Sequence, residues 1–120
     1  MKKTELKAFG IIGGDKRQLF LAKSISDSCF DVTLGGFDKL TSLGAIEIAD
    51  IKTAVLKSDA IIFPLPSICA DGTLNTPFSD KKTRLSDDLT ALLKDKPIFV
   101  AMKNKFLKAY PQLADCEVYD

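Results

Sequence analysis

The sequence predicts an α/β fold, a parallel sheet with helices on both faces, and three observations carry that expectation. Short apolar runs of strand length alternate with amphipathic stretches along the 120-residue chain. The first run, Phe9-Gly10-Ile11-Ile12, passes through Gly13-Gly14 into Asp15-Lys16-Arg17-Gln18, which reads as strand, glycine turn and helix opening. An apolar content of 46% with 28% charged residues is that of one domain with a single core.

Strands are expected at residues 7–12, 31–34, 60–63, 97–101 and 116–119. The first helix is expected at 16–26, where Leu19, Ala22 and Ile25 share a face. A shorter helix, entered through Asp50, covers 51–57. Ser86 suits the N-cap of the next, with Asp87 and Asp88 at its positive end and Leu89, Leu92 and Leu93 as its buried stripe. The last, near 103–110, stops before Pro111. Right-handed crossovers then give a three-layer, flavodoxin-like (Rossmann-like) sheet with strand order 2-1-3-4-5 and helices on both faces. Residues 64–79 form a connection longer than the ~4–6 residues usual for such loops, so they are functional or carry extra structure. Residues 1–120 form a single domain. Its end at Tyr119-Asp120, directly after a strand and without a closing helix, is read as that of a fragment of a longer protein.

Charge and composition exclude several classes. A formal net charge of +1, with no dense Lys/Arg run, argues against nucleic acid. The charged start Met1 to Lys7 is followed by too short an apolar run for a signal peptide, and nothing approaches a membrane span, so a cytoplasmic location is expected. The chain contains no histidine, which removes Ser-His-Asp and Cys-His chemistry and histidine-based metal sites. Proton transfer would have to use carboxylate, Lys, Tyr or Cys. Cys29, Cys69 and Cys116 are widely spaced without a Cys-x-x-Cys pair, and are expected as reduced thiols, some of them buried. No metal is expected.

The glycine turn sits where open α/β sheets place ligands, yet it fails as a nucleotide fingerprint. A dinucleotide loop starting at Gly13 needs small residues where Asp15 and Gln18 stand, and a carboxylate there repels pyrophosphate. Gly35 occupies the place of the ribose-binding acid, and Asp38 is a loose substitute. Two readings of the turn stay open. Asp15 can cap the helix above a solvated first turn. Alternatively Lys16 and Arg17, which oppose the helix dipole at roughly 0.3–1 kcal/mol each, share a bound anion, with the planar Arg17 fork suited to a carboxylate. Pro64-Leu65-Pro66-Ser67 either ends strand pairing or forms a rigid wall with Ser67 as a hydroxyl donor. Asp71 to Thr76 suggests a small hairpin or a lid, and Gly35-Gly36 a backbone requirement. A phosphoacceptor receiver fails because the third strand ends in Phe63-Pro64 instead of an Asp. A flavodoxin fails because Gly14-Asp15-Lys16-Arg17 is not a Ser/Thr-Gly phosphate loop.

The string Ile-Ile-Gly-Gly-Asp-x-Arg-Gln (Ile11 to Gln18), with Gly36-Phe37-Asp38 and Asp59-Ala60-Ile61-Ile62-Phe63-Pro64, resembles the N-terminal domain of the dipicolinate synthase A-subunit. The similarity continues through Asp71-Gly72-Thr73 to Thr76-Pro77-Phe78-Ser79. That family makes dipicolinic acid for bacterial endospores. The resemblance implies an oxidoreductase converting dihydrodipicolinate to dipicolinate with NADP, located in the mother-cell cytoplasm. It implies that this chain is the substrate-side domain, inactive alone, and that NADP is bound by a second Rossmann domain absent here; no cofactor-binding residue is expected in this chain. The implied partners are a small dicarboxylate substrate and the flavoprotein-like B-subunit of dipicolinate synthase, and a homo-oligomer is compatible. Substrate-binding candidates are Gly14, Asp15, Arg17, Gln18, Pro66 and Ser67; no catalytic residue is assigned. The alternative is a non-catalytic small-anion-binding or assembly module on the same fold.

Overall fold

The computed structural model describes residues 6–120. Strand β1 (Ala8–Ile12) passes through the glycine turn to α1 (Lys16–Asp27) and β2 (Asp31–Gly35). A short β3 (Glu47–Ala49) runs into α2 (Ile51–Lys57) and β4 (Ala60–Ile62). A long segment leads to α3 (Asp87–Leu93) and β5 (Ile98–Phe99). There follow α4 (Lys103–Ala109), a 3-10 turn at Pro111–Leu113 and β6 (Val118–Tyr119). All pairings are parallel, in the order β3-β2-β1-β4-β5-β6.

The five expected strands therefore lie in the expected 2-1-3-4-5 order, and β3 adds a sixth at the edge of β2. Its register, Thr33 opposite Glu47 and Gly35 opposite Ala49, extends the sheet by three residues only. Neither its length nor its surroundings mark it in the sequence. The crossover from β2 contains no helix, and a solvated edge strand of three residues has no measurable alternation.

Helices form where capping and periodicity agree. Asp15 accepts from the Arg17 amide (2.9 Å), Asp50 from the Thr53 amide (2.7 Å) and Ser86 from the Leu89 amide (3.2 Å). Each bond satisfies one of the orphan N–H groups of a helix start. Successive residues of β1 feed two cores. Ile11 joins Val32 and Leu34 against Ala22, Leu19 and Ile25 of α1. Ile12 joins Ile61, Ile98 and Val118 against α2, α3 and α4, with Val55, Leu93 and Phe106 fully enclosed. Helix α1 covers only part of its face. Beyond β4, in register with Ile62, Phe99 and Tyr119 stack with ring centroids 5.3 Å apart and stay 37% and 45% exposed. The three thiols are free, but none is fully buried, contrary to expectation: Cys29 and Cys69 are exposed, and Cys116 packs half-buried against the edge of the larger core. Among the described residues no helix is long and apolar enough to cross a membrane.

The segment between β4 and α3 is folded on itself. Ile68 bridges Leu74 in antiparallel fashion, closed by the Cys69 amide donating to the Thr73 carbonyl (2.7 Å). Of the hairpin or lid expected at Asp71 to Thr76, a small hairpin is present, but it begins earlier, at Ile68, and ends at Leu74. Leu74 and Leu85 insert into the larger core. Tyr110, at the end of α4 and 1% exposed, clamps both limbs. Its hydroxyl donates to the Gly72 carbonyl (2.6 Å) and accepts from the Leu85 amide (3.3 Å), while Arg84 lies 5.5 Å from its ring. Tyr110→Phe keeps the packing and orphans a buried amide and a carbonyl. It should cost about 1–3 kcal/mol, read as a lowered denaturant midpoint with unchanged slope. A change below about 0.5 kcal/mol would show that the hydroxyl does not hold the segment.

Candidate functional site

Parallel strands place the ends of β1 and β4 on one rim, where the strand order reverses and ligands normally enter. At this rim Gly13 and Gly14 adopt φ values of +79° and +111°. A Cβ on Gly13 would stand 2.5 Å from the Asn75 carbonyl oxygen, and one on Gly14 would collide with the Gln18 side chain. Two glycines are thus required by conformation and by close approach together. The approaching group belongs to the chain itself. The Gly14 amide donates to the Asn75 carbonyl (2.9 Å), and the Gly13 amide to the Gly35 carbonyl (2.9 Å). Asn75 is held in turn: its side-chain amide donates to the Pro66 carbonyl (2.9 Å) and its backbone amide to the Ser67 carbonyl (3.1 Å). Farther on, Phe78 stacks on Phe37 (5.9 Å) and the Lys39 amide donates to the Phe78 carbonyl (2.9 Å). The segment therefore bridges the rim from β4 across β1 to the end of β2, on the same rim as the glycine turn.

The candidate residues divide into two groups. Gly14, Asp15, Arg17 and Gln18 sit behind the start of the segment. Asp15 caps α1 and also takes the Arg17 guanidinium, with Nε at 3.1 Å from Oδ1 and Nη2 at 3.0 Å from Oδ2. Arg17 Nη2 also donates to the Leu65 carbonyl (2.9 Å), tying the helix start to the segment, yet its side chain remains 65% exposed. The Arg17 hydrogen bonds hold the Asp15 carboxyl below the usual carboxylate range, and Asp15 pushes Arg17 up. Gln18 Nε2 is enclosed and donates to no protein atom among the described residues. Lys16 is exposed.

Pro66 and Ser67 belong to the other group and line a cavity of about 800 Å3. Ser67 is 1% exposed and its hydroxyl is committed: it donates to the Pro64 carbonyl (2.7 Å) and accepts from the Ala101 amide (3.1 Å). It therefore fastens the Pro64 wall to the end of β5, and its hydroxyl proton is already in use. Asp38, the loose substitute for a ribose-binding acid, is likewise engaged. Its carboxyl is held low chiefly by the Ser79 hydroxyl, with Lys81 and Lys39 nearby.

The opposite wall of the cavity was not foreseen. It comes from Ala101, Met102, Lys105 and Lys108, at and after the turn from β5 into α4. Met102 has φ +62° and ψ +58°, a left-handed conformation uncommon for a side chain of its size. The Lys103 amide donates to the Asp120 carboxylate (3.0 Å), so the residue after β6 supplies the cap of this helix. The i, i+3 spacing of Lys105 and Lys108 was visible, but only the fold brings their face opposite Leu65 and Pro66. Among the described residues no group of three or more Cys, Asp or Glu could hold a metal ion.

This geometry can be set beside known proteins. The model of a family described as the dipicolinate synthase A-subunit N-terminal domain matches residues 8–120. The dipicolinate synthase A-subunit of Bacillus subtilis (strain 168) is 31% identical over 80 residues, 65% of this chain and 27% of that protein. The crystal structure of the dipicolinate synthase A chain from Bacillus subtilis superposes with a TM-score of 0.74 at 24% identity, over 94% of this chain and 39% of that one. That of the A-subunit from Bacillus halodurans gives 0.73 at 24% identity, over 93% and 39%. The fold is shared throughout, and the chain spans well under half of each relative.

The carboxylates that organise the rim set its pH dependence. Asp15, Asp38, Asp50 and Asp71 are all held below their ordinary value of 3.8, by Arg17, Ser79, the Thr53 amide and the Thr73 hydroxyl respectively. A lowered native pKa adds stability above the unfolded value, and that stability is lost as pH falls through the native one. With no histidine in the chain, no side chain of ordinary pKa titrates between about pH 5 and 7. The thermal midpoint should therefore be flat across that interval and fall once pH drops below 3.8. A step centred near pH 6 would contradict this assignment.

Proposed function

This chain belongs to the dipicolinate synthase A-subunit N-terminal domain family, and we propose that it forms the substrate side of an oxidoreductase that converts dihydrodipicolinate to dipicolinate with NADP. The observation that carries this reading is the bond from the Gly14 amide to the Asn75 carbonyl. It puts the chain's own segment where a phosphate would lie in a dinucleotide fold, and leaves a small-molecule cavity beside it. The residues at the turn do not fit NADP. The Asp15 carboxylate occupies the second glycine position of the fingerprint, and the Gly14 amide is spent. In this reading NADP is held by residues outside this chain, the flavoprotein-like B-subunit is the protein partner, and the enzyme works in the mother-cell cytoplasm.

The six candidate residues then take distinct parts. Gly14 and Asp15 set the helix start, and Asp15 orients Arg17. Arg17, held at Nε and Nη2 by Asp15 and at Nη2 by the Leu65 carbonyl, offers its exposed Nη1 to a substrate carboxylate. Gln18 packs under Gly14, while Pro66 and Ser67 keep the wall rigid. In the full-length enzyme Arg17→Ala should lower kcat/KM on the order of 10- to 100-fold, the loss of one charge-assisted pair. NADP affinity and folding should be nearly unchanged, since the exposed pair with Asp15 adds little stability. A kcat/KM within roughly twofold of the parent would remove Arg17 from the substrate side. The 120-residue chain alone should show no micromolar NADP binding in calorimetry; a dissociation constant of that order would overturn the division of roles.

A further inference from the structure

The cavity between the Pro66 wall and α4 differs in charge from three other clefts among the described residues. Its lining contains Lys105 and Lys108 and no carboxylate. Three other clefts each carry two acidic residues: Asp31 and Glu47, Asp71 and Asp80, and Asp38 and Asp50. The remaining lining is mostly apolar, with Leu65 and Met102 exposed by 52% and 45%. Neither lysine is in an ion pair among the described residues, whereas Lys39, Lys57 and Lys82 are each paired to an acid. Two cations one helical turn apart repel each other weakly and gain from a shared anion. The left-handed Met102 starts the helix that presents them, and such backbone strain clusters at ligand sites.

We propose that Lys105 and Lys108 are the anion-recognition edge of this cavity. It takes a small planar carboxylate, the ring lying against Leu65, Pro66 and Met102 and the carboxylate meeting the two ammonium groups. This deepens the substrate-side reading and rests on it, setting a cationic edge across the cavity from Leu65, whose carbonyl Arg17 holds from outside the lining. A volume of about 800 Å3 is ample for one such ring and leaves room for a reacting group from elsewhere. Both lysines lie on the exposed side of α4, so replacing them does not disturb the Phe106 core.

The test is an amide-resolved NMR titration of the 120-residue chain with pyridine-2,6-dicarboxylate. The uncharged 2,6-dimethylpyridine and inorganic phosphate serve as comparison ligands. Saturable shifts are expected at Leu65, Ala101 and Met102, with much weaker responses to either comparison ligand. Lys105→Met with Lys108→Met should weaken dicarboxylate binding at least about tenfold. Lys105→Arg with Lys108→Arg should restore it, and Lys94→Met, outside the cavity, should change nothing. If the double methionine variant binds within about twofold of the parent while Arg17→Ala abolishes binding, the lysine assignment is overturned and the substrate-side reading stands. Equal binding of phosphate would overturn the planar apolar wall. No saturable shift at ligand concentrations on the order of 10 mM would overturn both readings.

Discussion

Where the strand order reverses, the Gly14 amide donates to the Asn75 carbonyl, and most of the rim follows from that contact. It requires glycines at 13 and 14, because a Cβ on either would strike the approaching segment or Gln18. It fixes the segment that carries Pro66 and Ser67 along one wall of the cavity. It also uses, within the chain, the N–H group that a dinucleotide-binding turn would present to phosphate. The supporting bonds from Asn75 to Pro66 and Ser67, and the Tyr110 clamp on Gly72 and Leu85, make the closure part of the core rather than a surface flap.

The cations at the start of α1 have a physical explanation in the same region. Lys16 and Arg17 oppose the helix dipole, but the Asp15 carboxylate caps the helix and lies against Arg17, offsetting part of that penalty. The two readings of this turn, helix cap and anion contact, are compatible. Asp15 does the capping, and Arg17 is left oriented with most of its side chain in solvent.

Legibility in the sequence tracked the range of the interactions. Helix starts at Asp15, Asp50 and Ser86 were readable because a cap is decided within three residues. The sheet order was readable because apolar runs of strand length are local and crossover rules prune the topologies. Strand β3 was missed because three residues on an edge carry no period. The 64–79 connection stood out by length, but nothing local to Asn75 marks its carbonyl as the partner of Gly14. That the Ser67 hydroxyl is committed is not legible in the sequence, because its use by Pro64 and Ala101 depends on the meeting of two strand ends. That Lys105 and Lys108 line a cavity is not legible in the sequence for the same reason: a cavity is a property of elements distant in sequence.

Amide hydrogen exchange at Gly14 tests most directly whether the rim segment stays seated on the glycine turn. Local opening of a flap frees its amides at a small cost, whereas a core contact opens only with much of the fold. The Gly14 amide should be protected to the level of the β1 amides of Ile11 and Ile12, and remain so with millimolar NADP present. Exchange as fast as in an open loop would mean that the segment leaves the turn readily. The switch point would then be available to a nucleotide, and the division between a substrate side and a separate NADP site would fall.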